Sequence, residues 1–185
     1  EARKGRPVAV LGCPLPGVED DPGLREALRE ALTAVRRAKD EEELARIRRA
    51  CAATAAGHAV GRAARAPGRS EREVQIELEA AFFRSGPHSA VLHFEPSGRR
   101  MADGELVLID AGAEIDGYCG DVTRTYPAGA RFTPEQRDLY AVLLEAQMKA
   151  VDDCRAGVEF RELHLATARA IASGLVHLGY LKGSA

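Results

Sequence analysis

Residues 106–126 read Leu106-Val-Leu-Ile-Asp110-Ala-Gly-Ala-Glu-Ile-Asp116-Gly117-Tyr-Cys-Gly-Asp121-Val-Thr-Arg-Thr-Tyr126. Asp116-Gly117 between two β-patterned runs is a two-residue hairpin signal, because both turn positions need the positive φ that Asp and Gly tolerate. With that turn, Ile115 faces Tyr118, Asp110 faces Thr123 and Gly112 faces Asp121. Side chains alternate along a strand, so Asp110 and Asp121 share a face as diagonal neighbours, with backbones about 7–8 Å apart. An aspartate directly after the buried-looking run Leu106–Ile109 is costly to leave ionised without a partner. A cation between the carboxylates relieves that cost. Hard oxygen donors on a rigid sheet face suit Mn²⁺, Co²⁺ or Zn²⁺, and Thr123 on the same face is placed to hydrogen-bond a ligand. The alternative is a pair of ordinary turn or salt-bridge aspartates with Arg124 or Arg131 as partner. Cys119 shares the parity of the aspartates and reads as a small buried filler.

Outward from the hairpin the pattern is helical on both sides. Asp21 opens an amphipathic helix with Leu24, Leu28, Leu32 and Val35 on one stripe. The acids Asp40 to Glu43 begin a second, with Leu44, Ile47, Cys51, Thr54 and His58 at helical spacing; Glu42 and Arg46 form an i,i+4 pair. His58 reads as a packed residue. Ala66-Pro67-Gly68 ends that helix, and Ser70-Glu71-Arg72-Glu73 is a capping box that opens a third, running to Ser85-Gly86. Strands are expected over Ala90–Phe94, Glu105–Glu114 and Tyr118–Tyr126. Thr133-Pro134-Glu135-Gln136 starts a helix that runs to about Cys154, and a last helix spans Phe160 to His177. Helices, antiparallel strands, then helices make an α+β domain.

The 185 residues carry 26 Lys+Arg against 28 Asp+Glu, a net charge of -2 with interleaved signs. That balance argues against a nucleic-acid binder working through a basic footprint. The longest apolar runs, Val8–Leu11 and Leu106–Ile109, are far short of the roughly 20 residues that span a bilayer, so no membrane partner is expected. Four dispersed cysteines without CxxC spacing predict reduced thiols in a cytoplasmic protein.

The block Asp110-Ala-Gly, Gly117-Tyr118, Asp121-Val-Thr-Arg-Thr-Tyr-Pro127, with Phe132-Thr-Pro-Glu-Gln136, Tyr140, Val91-Leu-His93-Phe94 and the helix Arg37 to Ala50, resembles the Xaa-Pro aminopeptidase and prolidase family. The likeness is nearest to aminopeptidase P and runs from about Arg36 to Lys182. It implies a pita-bread fold, present in part as an antiparallel sheet flanked by helices. Residues 1–35 would be the tail of an N-terminal domain with its linker helix, and residues 36–185 the first part of the catalytic domain.

The resemblance also implies two divalent ions, manganese first and Co²⁺ or Zn²⁺ as alternatives, whose bridging hydroxide cleaves the peptide bond before proline. Asp110 and Asp121 match the aspartate ligands, with Asp121 bridging, and His93 matches the histidine that contacts substrate. His88, His164 and His177 have no match and read as structural or exposed. The expected partner is a peptide with proline in second position, and homo-oligomers are common in the family. The chain departs from the pattern where it stops before the family's downstream histidine and two glutamate ligands, and where a strand segment is absent around Gly86. With a first residue other than Met, these departures predict a longer protein. Two alternatives stay open: a catalytically inactive pita-bread domain that binds peptides or proteins, and prolidase-like or creatinase-like chemistry.

Overall fold

The structure is a computed structural model that describes residues 8–13, 16–85 and 98–183. The elements are α1 (Pro22–Arg37), α2 (Glu41–Ala64), α3 (Glu71–Ser85), β1 (Leu106–Ile115), β2 (Tyr118–Pro127), α4 (Pro134–Asp153) and α5 (Phe160–His177). This is the expected α+β order, with bounds within a residue or two of the sequence reading. The strand expected over Ala90–Phe94, with His88 and His93, lies outside the described residues.

β1 and β2 form an antiparallel hairpin in the predicted register: Ile115 opposite Tyr118, Gly112 opposite Asp121, Asp110 opposite Thr123. Its turn residues Asp116 and Gly117 have φ of 52° and 83°, the left-handed pair that matches the twist of two-residue hairpins.

The helix starts are chemically determined. Asp21, Asp40 and Thr133 each accept a backbone N–H from the first turn of the following helix, removing an orphan donor. Asp40 with Glu43, Ser70 with Glu73 and Thr133 with Gln136 are reciprocal capping boxes. The Ser70 backbone N–H, followed by its hydroxyl, holds the Glu73 carboxyl below its ordinary pKa.

The core lies between α2, α3 and one face of the hairpin. The buried face of α2 is Ala50, Ala53, Thr54, Gly57, His58, Gly61 and Ala64, which apart from His58 are small residues at helical spacing that admit a close neighbour. β1 supplies Ile109, Ala111, Ala113 and Ile115 from the opposite side, and α3 supplies Val74, Leu78 and Ala81. Burying a side chain such as Leu78 or Ile109 contributes roughly 1.5–3 kcal/mol. The tightest approach is at Gly120, where a Cβ would lie 2.7 Å from Cys51 N and 2.8 Å from Ala50 C. Any side chain there drives the helix off the sheet.

α2, with 24 residues, is about 36 Å long at 1.5 Å per residue and matches the roughly 33 Å of a ten-residue strand. Tyr118, beside the turn, donates to Glu43 on the first turn of α2 over 2.7 Å. At the hairpin's open end, Arg65 Nε donates to Pro127 O over 2.9 Å. Farther along, α4 and α5 pack on each other at Gly174 and Val142. The predicted stripe of α1 exists, but Leu24, Leu28, Leu32 and Val35 are exposed and the helix buries no residue. Among the described residues, no helix is long and apolar enough to cross a membrane.

Candidate metal centre

The strand alternation puts Asp110, Gly112, Glu114, Cys119, Asp121, Thr123 and Thr125 on the face of the hairpin turned away from α2. Asp110 and Asp121 are both exposed there. Two expectations are corrected. Leu106–Ile109 is not buried on both sides: Ile109 packs inward while Leu106 and Leu108 are 50% and 63% exposed, so Asp110 follows an alternating strand on an open face. Cys119 is exposed, not a buried filler, because among the described residues nothing packs over its side of the sheet.

Thr123 Oγ1 donates to Asp110 Oδ1 over 2.5 Å, fixing one carboxylate oxygen and leaving the other available. The salt-bridge alternative does not materialise. Arg124 Nη1 donates to Thr123 O, and neither aspartate is ion-paired among the described residues. Gly112 lies two residues along the strand from Asp110 and directly opposite Asp121. A Cβ at that position would lie 2.6 Å from Gly120 O and 3.1 Å from Asp121 Cα, so the backbone beside the two acids stays bare.

Two carboxylates without cationic partners, on one rigid face, are a donor set that suits hard divalent cations. They are two donors and no more: among the described residues no group of three or more His, Cys, Asp or Glu is disposed to hold a metal ion. His164 and His177 are exposed on α5, far along the chain. His58 is buried behind the hairpin, as expected for a packed residue.

The metallopeptidase family M24 matches residues 45–183, most of the chain and all of this hairpin. The chain belongs to metallopeptidase family M24. Within it, the chain is 37% identical over 158 residues to the Xaa-Pro aminopeptidase of Escherichia coli K12, covering 78% of this chain and 36% of that protein. It is 33% identical over 168 residues to the Xaa-Pro aminopeptidase of Haemophilus influenzae, covering 84% and 39%. Among solved structures, zinc-substituted E. coli aminopeptidase P in complex with product superposes with a TM-score of 0.74 at 36% identity, covering 79% of this chain and 36% of that one. Proline aminopeptidase P II from Yersinia pestis gives 0.77 at 34% identity, covering 88% and 42%. The M24 chain therefore has the expected pita-bread arrangement in part, and spans a little over a third of the length of the curated relatives it matches.

Two residues of the M24 hairpin and one of the helix behind it escape a reading of the sequence alone. Gly112 and Gly120 are signalled only as glycines inside strands, a mark of close backbone approach. Thr54 sits on the helical stripe, and its role depends on a strand partner remote in sequence: Ala113 N donates to its hydroxyl over 2.9 Å, and the hydroxyl reaches Gly120 O.

Proposed function

We propose that the protein is a metal-dependent aminopeptidase that releases the N-terminal residue from peptides with proline in second position. One observation carries this reading: Asp110 and Asp121 flank Gly112 on an open strand face, in a chain similar to Xaa-Pro aminopeptidases. Asp110 and Asp121 would hold two divalent ions, manganese first and Co²⁺ or Zn²⁺ as alternatives, with Asp121 bridging. Bound there, such ions lower the pKa of water into a usable range and polarise a peptide carbonyl.

The chain's own residues prepare that chemistry. Thr123 holds the Asp110 carboxylate in one rotamer through its 2.5 Å hydrogen bond. Gly112 keeps space between the acids, and the open face gives a peptide access to them. His93, outside the described residues, is assigned to substrate contact on the resemblance of its motif. The remaining donors, a histidine and two glutamates by the same resemblance, would come from beyond residue 185. The division into residues 1–35 as an N-terminal tail and linker and 36–185 as catalytic is part of this proposal. The absence of any buried residue on α1 supports it. A cytoplasmic location and a homo-oligomeric state complete the reading.

The test is hydrolysis of a Xaa-Pro peptide by the complete protein after chelation and re-addition of Mn²⁺. Activity that disappears and returns, with little turnover of the matching Xaa-Ala peptide, is expected. Metal-independent hydrolysis, or equal rates on both peptides, overturns it. A second reading, an inactive domain that binds peptides, is favoured by the lack of a three-donor cluster among the described residues. It predicts peptide binding with no metal-dependent turnover. Prolidase chemistry differs in outcome: only Xaa-Pro dipeptides would be cut.

A further inference from the structure

His58 lies on the side of the hairpin opposite the aspartates and is 6% exposed. Its Nε2 is 2.8 Å from Val122 O and 3.4 Å from Ala111 O. A carbonyl oxygen only accepts, so Nε2 carries the proton and donates, mainly to Val122 and more weakly to Ala111. Ala111 and Val122 are cross-strand partners, and theirs is the single rung between the Asp110–Thr123 and Gly112–Asp121 rungs. Each follows one of the two aspartates directly in sequence. One imidazole N–H thus engages the backbone of both strands at the step that sets how the two acids stand relative to each other.

The other face of the ring argues against simple filling. Nδ1 is buried with no hydrogen-bond partner, a desolvation penalty that a phenyl or aliphatic side chain would not carry. What the imidazole adds over those is the Nε2–H. Thr54, one turn earlier on α2, engages the Ala113–Gly120 pair, two residues along the strands from Ala111–Val122. The spacings match: four helical residues rise about 6 Å, and two strand residues about 6.6 Å.

We propose that His58 is a positioning residue for the metal centre: its Nε2–H ties the Ala111–Val122 rung to α2 and so fixes the separation of the Asp110 and Asp121 carboxylates. The proposal rests on the reading that this pair binds divalent cations.

The experiment uses the complete protein as wild type, His58→Phe, His58→Gln and Asp121→Asn. Co²⁺ is titrated into the metal-free forms, following affinity and the visible absorption spectrum, beside urea midpoints of the same forms. His58→Phe is expected to bind Co²⁺ at least tenfold more weakly, with an altered spectrum, while remaining folded. His58→Gln, whose amide keeps an N–H donor, is expected to recover part of the affinity. Wild-type affinity and spectrum in folded His58→Phe overturn the proposal. Should His58→Phe not fold, the wild-type protein decides: Zn²⁺ binding is expected to shift the His58 Nε2–H proton resonance, and an unmoved resonance overturns the proposal. If wild type and Asp121→Asn both fail to bind Co²⁺, the metal reading itself has failed and this proposal with it.

Discussion

Gly112 stands directly across the hairpin from Asp121, and a Cβ at 112 would lie 2.6 Å from Gly120 O and 3.1 Å from Asp121 Cα. Both obstacles are backbone, so neither can rotate away. Gly112→Ala is therefore expected to splay the strands, destabilising the protein by about 1–3 kcal/mol, the usual range for overpacking. Equilibrium urea denaturation checks the stability loss. An unchanged midpoint would mean that the strands accept a side chain between the acids.

Thr54 is fully buried, takes the Ala113 N–H and reaches Gly120 O. Thr54→Val keeps the shape and removes the hydroxyl, leaving polar backbone without its side-chain partner inside the core. A loss of about 1–3 kcal/mol is expected, while Thr54→Ser, which keeps the oxygen, should lose less. Chemical denaturation of the two variants side by side gives the comparison; equal losses would mean that the methyl group matters as much as the hydroxyl.

The register was legible because Asp116-Gly117 leaves one two-residue turn, and the register places Asp110 and Asp121 on one face. Which face is open was not legible. Leu106 and Leu108 have the composition of a buried strand, yet they point away from α2, and an alternation of apolar residues on both sides carries no sign. The same ambiguity misplaced Cys119. The partners of Thr54 and His58 depend on contacts 59 and 64 residues away in sequence, which helical spacing cannot reveal. Ala50, Gly57 and Gly61 did carry a signal, since a helix face this small must meet a neighbouring backbone closely.

Tyr118 Oη donates to Glu43 Oε1. That bond, followed by the Asp40 backbone N–H, holds the Glu43 carboxyl below its ordinary pKa, and the same bond raises the Tyr118 phenol. For Glu43 the lowered folded value means stability present above the unfolded pKa, near 4.3, and lost as pH falls through the folded value. For Tyr118 the raised value means stability present below about pH 10 and lost as pH rises through the folded value. Wild type should thus exceed Tyr118→Phe in urea midpoint at pH 7, with the gap narrowing toward pH 3 and again above pH 10. A pH-independent gap would refute this coupling.

Thr123 donates to Asp110 on an exposed face, so its loss should affect metal binding more than folding. In the complete protein, Thr123→Val is expected to weaken divalent-metal affinity about 10–100-fold, the usual effect of removing a ligand's hydrogen-bond partner, with a urea midpoint near that of wild type. Thr123→Ser should bind as wild type does. Calorimetric titration with Mn²⁺ reads both.

The proposed role of Asp110 and Asp121 is to hold the divalent ions of an aminopeptidase. Its most direct test is turnover of a Xaa-Pro peptide with added Mn²⁺, comparing the complete wild-type protein with Asp121→Asn. Release of the N-terminal residue by wild type and its abolition in folded Asp121→Asn is the predicted result; unchanged turnover in the variant would contradict the assignment.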